Sequence, residues 1–124
     1  MDRTQFIDHK GHRILLLDYT HLGTDADQLK GEIAKTKAVI GAEPPGSVLT
    51  LTDVRGSKIT PGNVKAMQDL VQFNAPYVRW SAVVVGLTGI YLTAFRAIQA
   101  LSRRRNLSAF NDLDEAKAWL VSRP

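Results

Sequence analysis

Four short apolar runs punctuate the chain, at residues 14–17, 48–51, 82–85 and, more weakly, 107–110, and a stretch of helical spacing follows each of them. A run of this length is short for a buried helix, and it lacks the strict alternation of a strand with one wet face. Each therefore reads as a strand buried on both sides. Such strands need helices to cover them, and short joins followed by returning helices force parallel neighbours with right-handed crossovers. Ahead of the first run, Asp8-His9-Lys10-Gly11-His12 separates Phe6-Ile7 from residues 14–17. A short polar loop ending near a Gly predicts a hairpin with a left-handed residue. The predicted fold is thus α/β: a mostly parallel sheet of about five strands, an N-terminal antiparallel hairpin strand and four covering helices.

The helix boundaries are marked to different degrees. The first helix starts at Thr24 as cap, with acids in its first turn, and carries Ala26, Leu29, Ile33 and Ile40 on one stripe that Thr36 bridges. Pro44-Pro45-Gly46 ends that unit. The second helix has Thr60 as cap and Pro61 at its first position, where a missing N–H costs nothing. Val64, Met67, Leu70 and Val71 face inward, and Pro76 bounds it. A third is predicted beyond Thr88, with Tyr91, Leu92, Phe95, Ile98 and Leu101 on one broad face. The last begins with Asp112-Leu-Asp-Glu115, a capping box, and turns Leu113, Ala116 and Leu120 inward.

Composition narrows the function classes. With 124 residues, 44% apolar and 23% charged, the chain reads as one soluble globular domain over residues 1–124. It has no Cys, which excludes disulfides, thiol nucleophiles and cysteine metal sites. The polar start Met1-Asp-Arg-Thr-Gln is unlike a signal peptide. Residues 82–101 hold a single charge, Arg96, but Gly86 and Gly89 interrupt them, so a buried strand followed by a helix is the better reading than a membrane span. A cytoplasmic location is expected, with peripheral membrane contact as the alternative. The net charge is +4, and Arg103-Arg104-Arg105 is its sharpest cluster. At a helix end those arginines complement the macrodipole. No interleaved aromatics accompany them, and no nucleic-acid partner is expected.

In an open parallel sheet, polar groups gather beyond the carboxyl ends of the strands. Here that rim comprises Asp18-Tyr19-Thr20-His21, residues 53–60, residues 86–88 and Asn111-Asp112. Helix N-termini favour anions there, while Asp18, Asp53 and Asp112 oppose them. The glycines form neither a dinucleotide nor a mononucleotide signature. Asp53 and Arg55 can pair across their turn; alternatively Asp53, Arg55 and Thr88 form an anion or partner contact. Thr60 and Ser57 are hydroxyls flanking the helix start, and both are candidate phosphorylation sites, Ser57 being the freer. A phosphoryl group at Ser57 adds roughly −1.5 to −2 of charge near Arg55. His21, Asp18 or Asp53, and Ser57 make a formal hydrolytic trio, but nothing supplies an oxyanion hole or a nucleophile elbow. His9 and His12 lie at the opposite end of the strand from His21. No catalytic residue, metal site or cofactor is therefore assigned. Leu87, Tyr91, Leu92, Phe95 and Ile98 either pack on the sheet or form an apolar ligand wall, a homodimer seam or a membrane contact.

Taken together, the opening hairpin, the strand ending in Asp53-Val-Arg-Gly-Ser57, the helix starting Thr60-Pro61, the Ala-Val-Val-Val-Gly strand and the closing Asp-Leu-Asp-Glu-Ala-Lys-Ala-Trp-Leu helix resemble the SpoIIAA-like superfamily. This is the STAS fold of anti-sigma-factor antagonists, grouped with Sec14-type lipid-binding domains. The resemblance spans nearly the whole chain. It implies a serine at the start of the helix after the central strand that a partner kinase phosphorylates, and Ser57, then Thr60, are the nearest positions. Its Sec14-like side implies an apolar ligand, with residues 87–101 as the natural wall. The expected function is a non-catalytic regulatory or protein-interaction module of bacterial type, with a protein partner or a homodimer. The alternative is a small apolar-molecule or lipid-binding protein touching the membrane through the predicted third helix.

Overall fold

The computed structural model describes residues 3–22, 26–57, 60–85 and 106–123. Strands β1 (Thr4–His9) and β2 (His12–Asp18) form the hairpin. Lys10 and Gly11 join them with φ of 49° and 82°, the two positive values of a type I′ turn, whose twist matches that of the strands. Helix α1 (Ala26–Ile40), strand β3 (Val48–Asp53), helix α2 (Pro61–Asn74) and strand β4 (Val78–Val84) follow. Strand β5 (Leu107–Phe110) and helix α3 (Leu113–Val121) end the described chain.

The five strands lie in sequence order, with β1 antiparallel to β2 and every later neighbour parallel. Crossovers that all step the same way must, if right-handed, put their helices on one face. Leu15 and Leu17 meet Leu29, Ile33 and Leu70 on the face that α1 and α2 cover. Ile14, Leu51, Ala82 and Val84 meet Ala116 and Leu120 on the other, under α3. Ile14, Leu15 and Leu51 are wholly buried, as runs apolar on both sides require. The register sets Asp18 beside Asp53, and Asp53 beside Val84, so the carboxyl ends of β2, β3 and β4 finish level.

Two expectations need correcting. The fold contains three covering helices among the described residues, not four. The helix expected after the Thr88 cap, carrying Tyr91–Leu101, falls on residues 86–105, outside the described ones. The third strand of the parallel set also begins earlier than its apolar run, at Val78. Its first turn outward is the exposed Arg79, and Trp80 is held by an edge-on contact with Trp119 at 5.7 Å. A charged residue between them hides the strand from a search for apolar runs.

A polar seam runs through the core beside helix α1. Thr36, fully buried on α1, donates to the Glu32 carbonyl at 3.1 Å and lies 2.6 Å from the Tyr19 hydroxyl and 2.9 Å from the Thr4 hydroxyl. Thr4 also donates to Glu32 Oε1 at 2.9 Å. Buried hydroxyls need such partners, and here they tie the edge strand β1, helix α1 and the segment leaving β2. Burial pushes the Tyr19 hydroxyl pKa above its ordinary value, the Thr36 bond works against that shift, and the Glu32 charge adds to it.

The raised Tyr19 pKa makes stability depend on alkali. Below pH 10.0, the ordinary value for the group, both folded and unfolded chains keep the proton and the contribution is whole. Above it the unfolded chain loses its proton first, so stability falls as the pH rises, by up to about 1.4 kcal/mol per pH unit. Urea unfolding from about pH 9 to 11 is expected to show this decline. Tyr19→Phe is expected to be less stable at pH 8 but to lose less stability over that range.

Candidate functional site

The level ends of β2 and β3 bring two carboxylates together and then let the chain continue as two loops. Asp18 Oδ1 accepts from the Thr20 hydroxyl at 2.5 Å and the Thr20 amide at 3.1 Å, which turns its own loop. Arg3 donates to the carbonyls of Asp18 and Thr20 at 3.1 and 2.9 Å, holding the same turn from the hairpin side. Asp53 is buried, and Arg55 grips it with a fork: Nε to Oδ1 at 2.9 Å and Nη2 to Oδ2 at 2.7 Å. The Arg55 amide adds a third bond to Oδ1 at 3.1 Å. These two residues pair across the turn, as their spacing allows. The hydrogen bonds and then the charge of Asp53 raise the Arg55 pKa, with smaller contributions from Asp112 and Asp18. Three carboxylates thus share an edge with the guanidinium groups of Arg3 and Arg55.

Beyond the strands the two loops stay joined. The Tyr19 amide donates to the Asp53 carbonyl at 2.8 Å and the His21 amide to the Arg55 carbonyl at 3.1 Å, prolonging the β2–β3 ladder past its formal end. The Ser57 amide closes a turn onto the Val54 carbonyl at 3.1 Å, with Gly56 at φ 73°. That turn swings the Ser57 hydroxyl back, where it donates to the Tyr19 carbonyl and accepts from the Leu22 amide at 3.3 Å. His21, itself at φ 55°, lays its imidazole against Gly56 so closely that a Cβ there would enter the ring. We call this arrangement the clasp.

The rim read from the sequence therefore assembles, with Asp18, Tyr19, Thr20 and His21 facing Asp53, Arg55, Gly56 and Ser57. Thr60 caps α2 by accepting from the Asn63 amide at 3.1 Å, and Asp112 caps α3 by accepting from the Glu115 amide at 2.9 Å. The formal hydrolytic trio is close in space without being connected: the His21 ring lies on Gly56, and the Ser57 proton goes to a carbonyl. His9 pairs with His12 at the far end of the hairpin. Among the described residues no three His, Asp or Glu side chains gather as metal ligands, and no helix is long and apolar enough to cross a membrane. Thr88, Leu87, Tyr91, Leu92, Phe95 and Ile98 lie outside the described residues.

The sequence ranks Ser57 as the freer of the two hydroxyls, whereas in the fold it is engaged twice. The signal that pointed to this was Gly56, whose φ and lack of a side chain the ring contact requires. No family model matches the chain, and no curated protein or solved structure matches it.

Gly56→Ala is expected to cost about 1–2 kcal/mol from the positive φ alone, and more from displacing the His21 ring. Adding His21→Ala is expected to recover the collision but not the backbone cost. A denaturant double-mutant cycle measures that coupling; strictly additive effects would show that the ring does not rest on Gly56.

Proposed function

We propose that the chain is a non-catalytic regulatory or protein-interaction module of the SpoIIAA-like type, switched by phosphorylation at Ser57. One observation carries the reading: the Asp53–Arg55 fork directs the segment leaving the carboxyl end of the central strand β3, and Ser57 lies on that segment ahead of the Thr60 cap of α2. Loops beyond the carboxyl ends of strands are where recognition residues gather, and Ser57 is the hydroxyl this one carries before the helix cap.

The same geometry ranks the two candidate hydroxyls. Modifying Thr60 would occupy the oxygen that caps α2, at a cost of about 1 kcal/mol in helix stability. Ser57 caps nothing, and its modification changes charge at the rim without unravelling a helix. In the transfer, the Ser57 oxygen bonds to the γ-phosphorus of a nucleoside triphosphate held by the partner kinase. The nucleoside diphosphate leaves, and the hydroxyl proton passes to the kinase's base. The chain itself supplies only the acceptor. The sequential strand order, with both clasped loops on one edge, supports the SpoIIAA-like reading.

Serine kinases from bacterial hosts, incubated with the chain and γ-labelled nucleotide, are expected to label the wild type and Thr60→Ser but not Ser57→Ala. Ser57→Asp is expected to change capture of the partner at least tenfold. The proposal fails if no label reaches Ser57 and Ser57→Asp binds the partner as the wild type does. Extraction of an apolar molecule from the purified chain would instead favour the ligand-binding alternative.

A further inference from the structure

We propose that the Ser57 hydroxyl is a latch between the two rim loops, and that a phosphoryl group on it releases the segment His21–Leu22 from the clasp. The inference rests on the reading of Ser57 as a phosphorylation site, and adds what the modification does to the fold.

The argument begins with a single hydrogen. Ser57 Oγ carries one proton and spends it on the Tyr19 carbonyl, while its lone pair takes the Leu22 amide at 3.3 Å. A phosphoryl ester has no such proton. It leaves the Tyr19 carbonyl without its donor and sets about −1.5 to −2 of charge against that oxygen. The edge is already rich in carboxylates, from Asp18, Asp53 and Asp112, and the Arg55 fork is committed to Asp53. These carboxylates repel the added charge, and it needs room where the oxygen now meets the opposite loop.

What stays and what leaves follows from the remaining contacts. Tyr19 is anchored independently: its side chain is 1% exposed and its hydroxyl is bonded to Thr36 inside the core. Among the described residues His21 and Leu22 are held by fewer hydrogen bonds. Beyond the latch, His21 keeps one amide bond to the Arg55 carbonyl and a ring contact with Gly56 in a left-handed backbone that a non-glycine residue adopts at a cost. Among the described residues Leu22 is left with its apolar packing in the core, where it is wholly buried. Tyr19 is thus the hinge, and Leu22 is the apolar side chain that unlatching uncovers at the rim. A partner reading the modified form meets a changed surface as well as a new charge.

The test needs no kinase. Phosphoserine is incorporated at position 57 during translation, and amide hydrogen exchange is compared with the wild type. The decisive amide is that of His21, because it bonds to Arg55 and makes no contact with Ser57. It is expected to exchange at least tenfold faster in the phosphorylated chain, while the amides of Leu17 and Leu51 keep their protection. If the phosphorylated chain does not fold, Ser57→Ala provides the measurement, since it removes the proton without adding charge; His21 is expected to exchange faster there too, by a smaller factor. Unchanged His21 protection overturns the latch. Accelerated exchange in a chain that no kinase modifies would leave the latch standing and sink the phosphorylation reading. A good kinase substrate with an unchanged clasp would do the reverse.

Discussion

Asp53 ends the central strand with a carboxylate that the fold buries, and a buried carboxylate must be paired and hydrogen-bonded to be tolerated. The nearest answer in the chain is Arg55, two residues on, and the fork it forms fixes the direction of the loop at its first step. With that direction set, Gly56 has to turn through a positive φ, Ser57 is brought back over the segment leaving β2, and His21 finds its flat seat on Gly56. Arg55 stands largely in water, so the pair contributes little to stability through charge alone. Its effect is geometric.

A second polar device supports the first from inside the core. The seam of Thr4, Glu32, Thr36 and Tyr19 joins parts of the chain far apart in sequence. Three hydroxyl protons serve its four contacts, so the bonds are mutually dependent and suit one arrangement of β1, α1 and the loop better than any neighbouring one. Tyr19 belongs to both devices: its side chain to the seam, its carbonyl to Ser57. The rim loop is therefore built on a residue that the core holds still.

This division explains what was legible in the sequence. Strands β2 and β3 were readable because residues 14–17 are apolar on successive positions and Val48, Leu49 and Leu51 nearly so, and the chain offers few other ways to bury both faces. Thr60-Pro61 and Asp112 marked two helix starts because capping is local chemistry, complete within four residues. The first half of β4 was not readable, since Arg79 interrupts its pattern, and the described residues show three helices where four were expected. The seam was invisible for a different reason. Threonine and glutamate score as surface residues in any pattern search, and their partners lie on other elements. The engagement of Ser57 was missed likewise, because its partners Tyr19 and Leu22 come from a loop 35 or more residues earlier.

The charge balance of the rim bears on how such an edge is used. Helix N-termini alone would make it an anion site, yet Asp18, Asp53 and Asp112 stand among the same loops, and each is already occupied with a structural bond. Carboxylates placed as caps and turn formers cannot move away when a further negative charge arrives, so that charge is repelled by the framework that positions it. An edge designed to hold a phosphate would instead leave a guanidinium uncommitted beside the helix start, as phosphate recognition by arginine forks requires. Among the described residues Arg55 directs its fork at Asp53, and Arg3 bonds the carbonyls of Asp18 and Thr20. The proposed latch follows from this balance: negative charge arriving at Ser57 meets carboxylates that cannot retreat, and the clasp opens beyond Tyr19, whose hydroxyl the core holds.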